Sequence, residues 1–233
     1  MRRVILKEYL KNNKITVPHT FYRNSGNTNV FIVIPTYNEE KTIENLLIAL
    51  EKQSYRKFEV VIVDNDSSDR TIETVQKLRN KLNYNLYLLN EPNPGPGNAR
   101  KRGMDFATEL FYKKFKENDG ILVTTDADAC PDPEWLESVF INFAKEGKKL
   151  GGLAGTHIAK KEINKRIERD LGLRNYFNLA SDFILFCAQN KIGKLKMSGP
   201  NSAFSMEAYC ASGGIRQPYK QGQPAPKEIW DLQ

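Results

Sequence analysis

Apolar residues in this chain fall into short continuous runs, and each run is followed by a stretch with helical spacing. Val30 to Ile34 is a β-branched and aromatic run stopped by Pro35, the pattern of a strand buried on both faces. Asn38 then offers a helix cap, with Glu39 and Glu40 at the positive end of the helix dipole. Ile43, Leu46, Leu47 and Leu50 follow at i, i+3, i+4 and i+7, one apolar helix face. Val60 to Val63 is a second strand, closed by Asp64-Asn65-Asp66, and Ser67, Ser68 and Asp69 offer caps for a helix carrying Ile72 and Val75. Leu86 to Leu89 is a third strand. It runs into Asn93-Pro94-Gly95-Pro96-Gly97 and a helix from about Asn98, in which Ala99 and Gly103 permit close packing and Phe106, Leu110 and Phe111 fill the buried face. The fourth strand, Gly120 to Thr125, closes in Asp126-Ala127-Asp128. Its helix takes Asp132 as cap and Pro133 at the first position, with Leu136, Val139, Phe140 and Phe143 as core stripe.

Four strand–helix units in succession predict an α/β fold with a mostly parallel central sheet, right-handed crossovers and helices on both faces. The second half is less regular. Residues 150–158 read as a Gly-rich strand, with His157 a core or edge residue. About Lys160 to Ala188 reads as a long basic helix. Met197 to Phe204 reads as a turn into a short strand, and a short helix follows that stops at Gly213-Gly214. Residues 1–29 are assigned to an N-terminal extension. Residues 30–233 form the domain, with one half at about 30–130 and a second at about 131–233.

The chain has 233 residues, enough for one large domain with an ample core, and its 40% hydrophobic content with 12 Phe argues against disorder. A net charge of +7 suits an anionic small ligand, an anionic membrane surface or nucleic acid without choosing among them. Cys130, Cys187 and Cys210 are scattered, with no Cys/His cluster, so neither a disulfide framework nor a zinc site is indicated and a reducing compartment is expected. No run reaches the roughly 20 apolar residues of a membrane helix. The expectation is a cytoplasmic chain, soluble or peripheral at the inner membrane face.

Candidate chemistry gathers at the strand ends. In a parallel sheet all carboxyl ends face one edge, where open α/β sheets bind their ligands. Asp126 and Asp128 repel each other unless a shared proton or a divalent cation neutralises them. Asp64 suits a ring N–H of a base, Glu39, Glu40 or Asp126 the hydroxyls of a ribose, and Arg100 a phosphate. Asp128 suits a divalent metal bridging two phosphates, since hard oxygen ligands favour Mg²⁺ or Mn²⁺. Bland alternatives stand beside each. Asp64 and Asp66 serve equally as strand-end caps, Glu39 and Glu40 as helix-dipole residues, Arg100 as a solvated helix residue and Cys130 as small packing. The Gly95-Pro96-Gly97 pattern is a weak match to a dinucleotide loop. The basic stretch from Lys160 to Arg174 reads as a solvated helix face, or else as a membrane-surface contact toward a lipid-linked acceptor.

Four segments in order, VFIVIPTYNEEKTIENLL from Val30, VVIVDNDSSDRT from Val60, NPGPGNARKRGMDFA from Asn93 and ILVTTDADACPDPEWLE from Ile121, resemble family 2 glycosyltransferases of GT-A fold. The resemblance runs from about Val30 to Gly214. It implies a Rossmann-like GT-A domain and an inverting transferase that uses a nucleotide-sugar donor, often a UDP-sugar, with Mn²⁺ or Mg²⁺. It places Pro35, Tyr37, Glu39, Asp64 and Arg100 around the nucleotide, with Asp66 beside Asp64. Asp126 falls near ribose or phosphate and Asp128 on the metal. Gly199, Asn201 and Ala203 fall on the acceptor side, toward a polysaccharide, glycan or lipid-linked saccharide; nucleic acid is not an expected partner. The family's usual Glu-Asp-x-Asp-Leu corresponds to Glu228-Ile229-Trp230-Asp231-Leu232, so Ile229 stands at the usual aspartate and Glu228 or Asp231 is the candidate base. A basic/aromatic segment that many members carry further on is absent, and the expectation is a C-terminal truncation or a differently built acceptor site. Two rivals remain. One is a non-catalytic nucleotide-sugar-binding module. The other is a sugar nucleotidyltransferase, disfavoured because Thr36-Tyr37-Asn38-Glu39-Glu40 offers two acids and no glycine to a triphosphate.

Overall fold

The computed structural model describes residues 8–12, 28–115, 120–146, 152–154 and 201–215. Four parallel strands alternate with helices: β1 (Val30–Thr36), α1 (Ile43–Glu51), β2 (Phe58–Asp64), α2 (Thr71–Leu78), β3 (Asn85–Asn90), α3 (Pro96–Phe115), β4 (Ile121–Thr124) and α4 (Trp135–Glu146). Then come β5 (Gly152–Ala154), β6 (Ser202–Ser205) and α5 (Met206–Ala211). The six strands form one sheet in the order β3-β2-β1-β4-β6-β5, in which β6 runs antiparallel to both of its neighbours. The predicted long helix at about 160–188, most of the predicted strand at 150–158, Gly199, Glu228 and Asp231 lie outside the described residues.

Burial on both faces explains the continuous apolar runs. Every residue of β1 and β2 is buried. Val30, Ile32 and Ile34 pack with Leu46, Leu47 and Leu136 on the face covered by α1, α2 and α4. Phe31, Val33, Val61 and Val63 pack with Ala99, Phe106 and Leu110 of α3 and with Tyr209 on the other. A Cβ on Gly103 would lie 2.4 Å from Val33 Cγ1 and 2.9 Å from Val63 Cγ2, so α3 approaches the sheet closely only because that position is glycine. Tyr9, assigned by sequence to an extension, is buried within this second cluster.

Several helix starts differ from the sequence reading. α3 begins at Pro96, whose missing N–H is unneeded in a first turn. α1 begins only at Ile43, because the Asn38 side chain is engaged elsewhere, accepting from Ser68 N–H at 2.8 Å. α4 begins at Trp135. The N–H of Leu136 in its first turn is taken by Gln53 Oε1 at 3.0 Å, while Gln53 Nε2 donates to Asp132 O at 2.7 Å. A buried amide from the α1–β2 connection thus does the work expected of Asp132. Among the described residues no helix is long and apolar enough to cross a membrane.

Candidate active site at the carboxyl edge of the sheet

The parallel strands end at one edge, and antiparallel β6 begins there. Thr36 is in register with Asp64, and Thr124 with Ser202. This edge also carries the left-handed non-glycine residues of the described chain: Asn38 after β1 (φ 55°), Asp66 after β2 (φ 68°) and Asn201 before β6 (φ 51°). Asn and Asp tolerate that conformation better than other side chains, and such residues cluster where a loop must take one particular shape.

The first two loops are laced together. Asn38 N–H donates to Ser67 Oγ at 3.0 Å, Glu39 N–H to Thr71 Oγ1 at 2.7 Å and Glu40 N–H to Asp69 Oδ2 at 3.1 Å, while Glu40 Oε2 accepts from Arg70 N–H at 3.1 Å. Asp69 also accepts from the Thr71 amide at 3.0 Å. Desolvation raises the pKa of Asp69, but the bonds from Thr71 and Glu40 outweigh it and hold the carboxyl below its usual value. The Glu39 carboxylate accepts from the Thr42 hydroxyl. These bonds fix Glu39 and Glu40 as loop organisers. They leave Tyr37, 60% exposed, standing out at the edge. Pro35 is buried in β1. Its ring nitrogen falls on the β4 side, beyond the last β1–β4 pair at Val33–Thr124, so no ladder bond is lost.

Asp64 is 7% exposed, and its donor among the described residues is Ser67 N–H, at 3.3 Å to each carboxylate oxygen. Most of its acceptor capacity is uncommitted. Its neighbour Asn65, which sequence reading passed over, is fully committed. Asn65 Nδ2 donates to Glu91 O at 2.6 Å and Asn93 O at 2.7 Å, and Oδ1 accepts from Gly95 N–H at 2.7 Å. One buried amide therefore shapes the loop that opens α3. Asp66 is exposed beside it.

Arg100 is 2% exposed, which excludes the solvated-helix reading. Its Nε donates to Thr124 Oγ1 at 3.2 Å and a terminal nitrogen pairs with Asp126 Oδ1. The side chain of Asp126 is 40% exposed, so one end of the pair reaches the cleft. Ala127 is buried and Asp128 is exposed. The two carboxylates thus occupy unlike surroundings, one neutralised by an internal guanidinium and one open to solvent. The described residues hold no group of three His, Cys, Asp or Glu side chains arranged for a metal. An ion carried on nucleotide phosphates needs only one or two protein carboxylates, and Asp128 matches that donor set.

On the far side Asn201 Oδ1 accepts from Trp135 Nε1 at 2.8 Å, so β6 and α4 are joined at the same edge. Ala203 is not brought to the edge. It is buried opposite Val123 in the sheet. The structure therefore brings Tyr37, Asp64, Asp66, Arg100, Asp126, Asp128 and Asn201 to one side of the molecule, with Glu39 holding their loops.

Known proteins resemble this chain in sequence and fold. The family model for Glycosyl transferase family 2 matches residues 31–209. Poly(ribitol-phosphate) beta-N-acetylglucosaminyltransferase TarS of Staphylococcus aureus is 41% identical over 100 residues, 42% of this chain and 18% of that protein. An uncharacterized protein of Methanocaldococcus jannaschii is 34% identical over 180 residues, 77% of this chain and 65% of that protein. Among solved structures, the mannosyltransferase PcManGT of Pyrobaculum calidifontis, in complex with GDP-Man and Mn²⁺, superposes with a TM-score of 0.57 at 25% identity, over 92% of this chain and 54% of that one. The chain thus spans less than two thirds of the length of each of these relatives.

Proposed function

This chain belongs to glycosyltransferase family 2 and has its GT-A fold, and from that premise we propose that it transfers a sugar from a nucleoside-diphosphate sugar to a hydroxyl acceptor. The observation that carries the reading is the division of labour at the sheet edge. Asp64 is a nearly buried carboxylate with uncommitted acceptor capacity, which suits the ring N–H of a uracil or guanine base. Tyr37 offers an exposed aromatic face on the neighbouring strand end. The Arg100–Asp126 pair presents a carboxylate of fixed orientation for ribose hydroxyls, and Asp128 is open for the ion that accompanies the diphosphate.

On this reading Asp128 would hold Mn²⁺ or Mg²⁺. When bound, that ion supplies Lewis-acid stabilisation of the leaving diphosphate. The loops fixed by Asn38, Glu40 and Asn65 hold the nucleotide in one orientation, which lowers the entropic cost of in-line attack. Glu228 or Asp231 takes the proton of the acceptor hydroxyl, and transfer goes with inversion. The acceptor is a saccharide, free or lipid-linked, and a lipid-linked acceptor would bring the chain to a membrane surface.

Thermal unfolding with UDP-, GDP- and dTDP-sugars in the presence of Mn²⁺ tests the reading. A donor at about 100 times its Kd adds about 2.7 kcal/mol of stability and raises Tm by several degrees. The donor that does so should also release its nucleoside diphosphate slowly in water, a release lost on Glu228→Gln or Asp231→Asn. Stabilisation with no release would identify a non-catalytic binding module. No stabilisation by any donor would overturn the reading.

A further inference from the structure

A second polar cluster lies on the α3 face of the sheet, away from the strand ends. Asp105, in the middle of α3, is 6% exposed. Its Oδ1 accepts from the Tyr9 hydroxyl and, at 2.7 Å, from the Tyr209 hydroxyl, and its Oδ2 pairs with Lys101 Nζ at 2.6 Å. The two tyrosine rings meet edge to face with centroids 5.7 Å apart. Burial, and then the Asp105 carboxylate, push both phenols well above their ordinary value, so both stay protonated donors.

The cluster bears on the turn that ends α5. Gly214 sits at φ 76°, and its N–H donates to Tyr209 O at 2.9 Å. A Cβ on Gly214 would lie 2.3 Å from the Tyr9 hydroxyl oxygen and 3.2 Å from that of Tyr209. The turn rests directly on the two hydroxyls. The helix that carries Asp105 also carries Arg100, five residues earlier, at the donor side.

We propose that Tyr9, Asp105 and Tyr209 are positioning residues that seat α5 and the Gly213–Gly214 turn after it against the helix that orders the donor side. Tyr9 belongs to residues 8–12, so this short segment reaches α5 across 200 residues of sequence. The kinetic consequence rests on the proposed transferase reading, whereas the seating itself does not.

The test is a double-mutant cycle of Tyr9→Phe and Gly214→Ala read by thermal unfolding. Both Gly214→Ala proteins bear the cost of an alanine at positive φ. Only the protein that keeps Tyr9 also bears the clash with its hydroxyl, because without that oxygen the nearest Tyr9 atom is the ring carbon at 3.2 Å. The alanine should therefore lower Tm less in the Tyr9→Phe background, and a strictly additive cycle overturns the seating. If Gly214→Ala alone fails to fold, recovery of a transition on adding Tyr9→Phe is the same coupling. Independently, Tyr9→Phe should speed hydrogen exchange at the Gly213 and Gly214 amides by about three- to tenfold, the size of one lost hydrogen bond; unchanged protection overturns the proposal. In transfer assays Tyr9→Phe should lower kcat/KM for the acceptor by a similar factor with Kd for the nucleotide unchanged. An equal loss on both sides, or none, overturns the positioning role. An unaltered protein that transfers no sugar counts against the function and leaves the cycle to decide the seating.

Discussion

Two carboxylates one residue apart have a problem of mutual repulsion, and at Asp126 and Asp128 the fold resolves it asymmetrically. Arg100 neutralises Asp126 from inside, and Asp128 is left open. Substitution of the two should therefore differ in its effect on stability. Asp126→Ala removes the carboxylate partner of a guanidinium that is 3% exposed, and should cost about 1 kcal/mol or more of stability after allowing for the half-exposed carboxylate, along with nucleotide affinity. Asp128→Ala should change stability by less than about 0.5 kcal/mol, as a surface substitution does. It should also weaken Mn²⁺-dependent UDP binding in calorimetric titration by about tenfold to a hundredfold, the equivalent of one charge-assisted contact. Mn²⁺-dependent UDP titration in Asp128→Ala that matches the unaltered protein would refute the assignment. The sequence showed that the pair needs a shared proton or a cation. It did not show that the first cation is Arg100, because which helix residue lies behind β4 depends on how α3 is laid on the sheet, a packing outcome that Gly103 permits but linear spacing does not display.

At the scale of elements, all four strand–helix units were legible, because strands buried on both faces must be continuous apolar runs and the helices must carry apolar stripes. Their starts were not. Asn38 and Asp132 look like caps from local spacing, yet Asn38 serves the neighbouring loop and Gln53, about 80 residues from the helix it caps, takes the N–H at the start of α4. Asn65 is the same kind of residue. It donates to two carbonyls of the β3–α3 loop and accepts from Gly95 N–H, a pattern invisible until that loop is folded over it. Asn65→Ala should leave two carbonyls and one N–H without this partner and cost about 1–3 kcal/mol, seen as a fall in Tm. Asn65→Asp should be no milder, since it sets a carboxylate oxygen against the carbonyls of Glu91 and Asn93. A Tm within a degree of the parent for either variant would show that the loop holds its shape without this amide.

For the whole molecule, titratable groups set a stability plateau with two edges. On the acid side, Glu51 ties the end of α1 to the residue before Tyr84, accepting from Asn83 N–H at 3.0 Å and Asn83 Nδ2 at 2.7 Å. Desolvation raises its pKa, but those bonds and Arg56 outweigh it, so its folded value lies below the usual 4.5. A depressed folded pKa contributes stability that is fully present above 4.5 and is lost as pH falls through the folded value. Asp69, depressed by its loop bonds from 3.8, behaves alike at somewhat lower pH. On the alkaline side the sign reverses. Burial raises the phenols of Tyr9, Tyr84 and Tyr209 above 10.0, and the thiol of Cys210 from 9.0 to about 12. For these acids the folded protein favours the neutral form, so their contribution is complete below 9.0–10.0 and declines as pH rises through the folded values. Thermal unfolding across pH should therefore show Tm level between about 5 and 9 and falling on both sides. Glu51→Gln should flatten the acid limb and leave the alkaline one alone. Tyr9→Phe should lower the plateau and soften only the alkaline limb, because it deletes one buried phenol while Tyr84, Tyr209 and Cys210 still titrate. An acid limb unchanged by Glu51→Gln would mean that groups other than Glu51 govern acid stability.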